Sequence, residues 1–139
     1  MITMIELIKL YLGTFAIFLV IDFMWLSTMT NLFYKKQLGP LLASNPNLFA
    51  ASVFYAIYIF GLLALVIIPA AEQNSLMKAI ILGAIFGLAC YATYDLTNQA
   101  TLKHWPTIVG VVDIIWGIAL STVVSIGGFF LARWIGIGK

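Results

Sequence analysis

Charged residues are scarce in this chain. Asp, Glu, Lys and Arg make up 9% of its 139 residues, whereas hydrophobic residues make up 63%. A soluble domain usually holds about a quarter of its residues as these four charged types. So little charge leaves too few polar side chains to cover a water-soluble globule. The composition therefore excludes an ordinary soluble domain and indicates a protein embedded in a membrane.

Histidine and cysteine are each present only once, as His104 and Cys90. Together they cannot supply the usual set of nitrogen and sulfur ligands for zinc within one chain. The sequence has no glycine-rich phosphate loop and no serine in a nucleophile-elbow motif. The net charge is only +2, and the sole adjacent basic pair is Lys35 and Lys36, which is too little for nucleic-acid binding. We therefore expect no cofactor, no metal and no nucleic-acid partner.

The apolar residues are gathered into four blocks of the length that crosses a membrane, about 20 residues for a hydrocarbon core of about 30 Å. They predict transmembrane helices at about residues 5–28, 48–68, 76–98 and 106–134. Residues 31–38 mix apolar and polar side chains and end at Gly39-Pro40, which predicts a short helix lying in the interface. The predicted fold is an all-α integral membrane protein in which residues 1–139 form a single membrane domain.

Four spans place both termini on the same side of the membrane. The basic residues divide four against three between the two sides, and this excess favours termini in the cytoplasm; the four on the termini side are Lys9, Lys78, Arg133 and Lys139. In the third span, Gly83 and Gly87 form a small-xxx-small pair that permits close helix approach. Because the approaching helix could belong to the same chain or to a second copy, a homo-oligomer stays an open alternative.

Three of the five acidic residues, Asp22, Asp95 and Asp113, lie inside the apolar spans. An ionised group there costs roughly 2.5–3.5 kcal/mol on insertion scales, so such residues usually face the protein interior and have a function. At 1.5 Å per residue, Asp22 and Asp113 lie roughly 8 and 10 Å from the side of the membrane opposite the termini. Asp95 lies close to that same side. We therefore expect all three in one layer, with at least one protonated at neutral pH.

Aromatic side chains accompany these acids in every span. Trp25 follows Asp22 by three positions, as Trp116 follows Asp113, and such pairs share a helix face. We predict a polar cavity with aromatic walls, lined by Trp25, Tyr55, Tyr58, Tyr91, Tyr94, Asn98 and Trp116. Two plainer interpretations remain: the aromatic residues could be interfacial anchors, and the acids could only join helices through hydrogen bonds.

Several strings in the sequence resemble those of a group of small bacterial inner-membrane proteins catalogued as domain of unknown function 2177. These strings are DFMW at residues 22–25, FYAIY at 54–58, YATYDLTN at 91–98 with WP at 105–106, and VDIIWG at 112–117. The resemblance covers nearly the whole chain. It implies a single-domain protein with four spans in the bacterial inner membrane, and it implies no activity.

The leading hypothesis is a site that binds, and transforms by proton transfer, a lipid or another hydrophobic small molecule entering from one leaflet. Asp95 and Asp113 are the candidate proton-transfer pair, and Asp22 is the candidate orienting residue. A small proton- or cation-coupled transporter is the alternative, although the half of each span nearer the termini contains no acid apart from Glu6 at the start of the first span. An assembly factor for a larger membrane complex is the third hypothesis.

Overall fold

The computed structural model describes residues 1–139, and it contains helices and no strands. In chain order the helices are α1 (Met4–Met29), α2 (Lys35–Leu38), α3 (Leu48–Leu62), α4 (Ile68–Glu72), α5 (Leu76–Thr101) and α6 (Thr107–Ile135). Four helical stretches are long and apolar enough to cross a membrane: Met4–Leu41, Leu48–Glu72, Leu76–Thr101 and Thr107–Ile135. The predicted all-α membrane fold is confirmed.

The four long stretches form an up-down-up-down bundle. The start of α1 packs on the end of α6, where Gly13 lies against Leu131, while the other ends meet at the ring pair Trp25 and Trp116. The carboxyl terminus returns to the end of α4, since Gly138 lies against the backbone of Ala71. Both termini and the connection from α4 to α5 therefore lie at one end of the bundle, which we call the termini end. The connection from α2 to α3 and the connection from α5 to α6 lie at the other, the hairpin end.

Polar residues at the starts of α1, α3 and α5 supply their caps. The Thr3 side chain accepts a hydrogen bond from the Glu6 amide at 3.2 Å, and the Glu6 carboxylate accepts one from the Thr3 amide at 2.7 Å. Asn47 caps α3 through the amide of Ala50, and Ser75 caps α5. These bonds satisfy amide groups that have no partner within the helix.

Two π-helical turns extend the first two spans beyond the bounds that the sequence predicts. Residues Thr30–Tyr34 form one such turn and carry α1 without a break into α2. The predicted short helix therefore exists, and it continues the first span without a break. The second turn, Leu63–Ile67, precedes Pro69 and α3 continues through it into α4. Proline lacks an amide hydrogen, and a local widening of the helix lets the chain pass it, so this stretch ends at Glu72 rather than at residue 68.

Glycines bring α5 and α6 into close contact. Gly83 lies against the Ser125 side chain, and Gly87 lies against the backbone carbonyl of Gly117. The glycine pair of the third span therefore packs against α6 of the same chain. Towards the termini end the interior is apolar and tightly closed, with the fully buried core residues Leu10, Ile67, Ala71 and Ala132. The buried acids Asp22 and Asp95 lie towards the other end.

Candidate functional site

The three intramembrane acids lie inside the bundle at the hairpin end. The exposed fraction is 6% for Asp22 and 1% for Asp95, and Asp113 is half-buried. The interior placement predicted for Asp22 and Asp95 is confirmed, and Asp113 is covered by a side chain from the turn after α1. We call this group of three acids and the aromatic rings around them the acid layer.

Asp22 is held by a tyrosine from the neighbouring span. The Tyr55 hydroxyl donates a hydrogen bond of 2.8 Å to Oδ2 of Asp22, and the Tyr55 ring packs edge-on against Phe18 with ring centroids 5.2 Å apart. The Trp116 indole lies near the same carboxyl group, yet its buried nitrogen makes no hydrogen bond. This carboxyl group is therefore fixed in position by α3 and flanked by an aromatic ring of α6.

Asp113 is the end of a short chain of hydrogen bonds. The indole nitrogen of Trp25 donates to the Tyr34 hydroxyl at 3.1 Å, and that hydroxyl donates to Oδ1 of Asp113. The Trp25 ring also stacks on Trp116, with centroids 4.1 Å apart and planes 7° from parallel. The stacked pair thus connects the surroundings of Asp22 with those of Asp113.

Asp95 is buried with neither carboxyl oxygen hydrogen-bonded. Its side chain packs on Gly110, where an added Cβ would lie 3.4 Å from the Cβ of Asp95. Gly110 precedes Asp113 by three positions on the same helix, so the two acids face one region. An uncompensated buried carboxyl group is costly. Such an orphan in a native fold calls for a reason beyond packing.

Aromatic rings occupy much of the space in which the sequence predicts an open cavity. Tyr58 packs edge-on against Phe86 and Tyr91, with centroids 5.3 and 6.5 Å away, and its hydroxyl is hydrogen-bonded to Ser121. The Tyr91 ring lies directly on Gly117. A ligand at this level would therefore replace or rearrange side chains. No three potential ligands among His, Cys, Asp and Glu come close enough to hold a metal ion.

Of the residues predicted to line the cavity, Tyr94 is the most exposed. The residue is 58% exposed, and its ring packs edge-on against Trp105. Asn98 is half-buried. With 3.6 residues per turn, Tyr94 and Asp95 are about 100° apart on the helix, so burying Asp95 and Tyr91 turns Tyr94 outward.

Two aromatic residues of the layer were missed by the sequence reasoning. Tyr34 lies in the segment assigned to the interface, and its direction depends on the π-helical turn, which widens the helix at that point. Trp105 precedes the fourth span; it is 8% exposed, and its indole nitrogen has no hydrogen-bond partner. The sequence indicates these two residues only by their position, since both lie within a few residues of the hairpin ends of the spans.

Removing the Tyr34 hydroxyl is expected to destabilise the bundle. Tyr34→Phe leaves the Trp25 indole without an acceptor and Asp113 without its donor, and an orphaned buried polar group costs about 1–3 kcal/mol. The melting temperature in detergent should fall. Tyr94→Phe is the matched control, because the same atom is removed from an exposed ring, and its melting temperature should stay at the parent value. Equal melting temperatures for the two variants would contradict the hydrogen-bond chain.

The comparisons with known proteins identify a family but no activity. Residues 7–130 match the family described as "Predicted membrane protein (DUF2177)". No curated protein and no solved structure matches the chain. The match includes all three acids, the stacked tryptophans and Tyr34, and the family's description as a membrane protein agrees with the membrane-spanning helices of the structure. The chain therefore belongs to the DUF2177 family of predicted membrane proteins.

Proposed function

We propose that the acid layer binds a hydrophobic small molecule, such as a lipid, that enters from one leaflet, and that the acids exchange a proton with it. The site lies near the hairpin end, within reach of molecules in that half of the bilayer. We further propose that the protein resides in the bacterial inner membrane with its termini in the cytoplasm. The excess of basic residues on the termini side supports that orientation.

The observation that carries this proposal is the unpartnered carboxyl group of Asp95. Asp22 and Asp113 each accept a hydrogen bond from a tyrosine, whereas Asp95 accepts none. In a low-dielectric interior, an acid without a partner gains most from a new hydrogen bond or from exchanging its proton. Asp95 is therefore the proposed contact with the ligand and Asp113 its neighbour in proton exchange. Asp22, fixed by Tyr55, is the proposed orienting group.

A coupled transporter fits the interior less well than a site open to one leaflet. Beyond the acid layer the buried polar side chains are hydroxyls, of Thr14, Ser121 and Ser125. These hydroxyls favour a partial polar path towards the middle of the membrane. The core beyond Thr14, however, is closed by fully buried apolar side chains such as Leu10 and Ala132. A pathway across the membrane would have to pass that apolar core, whereas a binding site need not.

Mass spectrometry of the purified protein tests the proposal. The protein is extracted in a mild detergent, and its co-purified molecules are identified from intact complexes. We expect a hydrophobic molecule bound in a one-to-one ratio and lost in Asp95→Asn, because the amide cannot exchange a proton. Glu72→Gln, which changes an exposed acid at the termini end, should retain it. Complexes without any specifically bound molecule, or equal retention in both variants, would contradict the proposed site.

A further inference from the structure

The acid layer contains three carboxyl groups and no basic side chain. At this end of the bundle the basic residues are Lys35, Lys36, Lys103 and His104, and all four are exposed. None of them is hydrogen-bonded to an acid of the layer: tyrosines donate to Asp22 and Asp113, and Asp95 has no donor. Buried carboxylates are normally paired or neutralised. The chain therefore supplies no positive charge to pair with any acid of this layer that ionises.

We infer that the ligand carries this charge, and that it is a hydrophobic molecule with a protonated amine. This inference rests on the proposed function and names the chemical class of its ligand. The ammonium group donates hydrogen bonds to the carboxylate of Asp95, which is 1% exposed and has no other donor. A charge-assisted bond of this kind is stronger than one between neutral groups. The apolar tail lies among the aromatic rings and the lipid.

The aromatic rings around the acids suit the same ligand class. An ammonium group is attracted to the faces of tryptophan and tyrosine rings, and more strongly where water is excluded. Trp25 and Trp116 form a stacked pair within the layer. The hydroxyls of Tyr34 and Tyr55 donate hydrogen bonds to Asp113 and Asp22. Two acids are thus already hydrogen-bonded by the protein, which leaves Asp95 to select for a charged donor. A neutral hydroxyl group would satisfy its hydrogen bond but would not balance its charge.

Two probes with the same chain length separate charge from hydrophobicity. Dodecylamine, protonated at neutral pH, and dodecanol are titrated into the purified wild-type protein in a non-ionic detergent, and binding is measured by calorimetry. We expect the amine to bind at least about tenfold more tightly than the alcohol. In Asp95→Asn this preference should disappear. Glu72→Gln should keep it, because that variant loses an equal charge far from the acid layer.

The outcomes distinguish the ligand class from the site itself. Equal affinity of the wild-type protein for the two probes, or an undiminished preference in Asp95→Asn, would overturn the amine assignment. The comparison within the wild-type protein remains decisive even if Asp95→Asn does not fold. Should neither probe bind while a neutral hydrophobic molecule co-purifies at the acid layer, the amine assignment is wrong and the proposed site stands. Should no hydrophobic molecule bind at all, the proposed function fails as well.

Discussion

Replacing Gly87 by alanine is expected to destabilise the protein by about 1–3 kcal/mol, the usual cost of forcing an extra carbon into a packed core. The added Cβ would meet the backbone carbonyl of Gly117 and lie 2.6 Å from the Ser121 hydroxyl. A backbone carbonyl cannot rotate away as a flexible side chain can. In an exposed helix the same substitution would stabilise by about 1 kcal/mol, because glycine is a poor helix former. The sign of the effect therefore reports how closely α5 and α6 approach.

Gly61→Ala provides the matched control. There the new Cβ would lie 3.2 Å from the tip of the Phe86 ring, and a ring edge can move by a few tenths of an ångström. We expect its melting temperature in detergent to stay near the parent value, while that of Gly87→Ala falls clearly. If Gly87→Ala proved as stable as Gly61→Ala, α5 and α6 would not be as close as the structure places them.

The fold could be predicted because membrane solvation leaves few choices. A backbone in hydrocarbon must satisfy its own hydrogen bonds, so each apolar block of sufficient length becomes a helix. The apolar blocks therefore predict the number and order of the spans. The positions of the three acids within the blocks predict that all three lie near the same end of the bundle. The end of the second span was predicted too early, because a proline such as Pro69 normally stops a helix. Here a π-helical turn carries the chain past it, and no local sequence pattern indicates such a turn.

The candidate site was predictable in its acids but not in their partners. The energetic cost of Asp22, Asp95 and Asp113 in a membrane is a property of each residue, so the sequence alone identifies them. Which tyrosine bonds to which acid depends on helix rotation and separation. Tyr34 reaches Asp113 across 79 positions of the chain, and Tyr94, adjacent to Asp95, turns outward. The spacing of residues in the sequence shows which of them share a helix face. Which of two adjacent residues, 100° apart around the helix, is buried depends on how the helices pack.

Asp113→Asn is expected to leave the fold intact and to remove the bound ligand. The amide oxygen of asparagine has nearly the position of the carboxylate oxygen and can still accept the Tyr34 hydroxyl bond. The substitution removes the ability to ionise, so no charge has to be buried, and the melting temperature should be unchanged or slightly raised. A residue that only joins helices would tolerate this change, and the ligand would then remain bound.

Asp113→Leu completes the test because it removes the hydrogen bond as well as the charge. The Tyr34 hydroxyl, which also accepts from Trp25, would lose its acceptor, at a cost of about 1–3 kcal/mol for a buried polar group. The leucine variant should therefore melt lower, whereas the asparagine variant should not. Melting temperature in detergent and the content of co-purified ligand are measured on the same preparations. If Asp113→Asn has the melting temperature and the ligand content of the parent, the role of Asp113 is only to hold Tyr34 in place. Loss of the ligand from that stable variant would show that the ionisable carboxyl group itself is required.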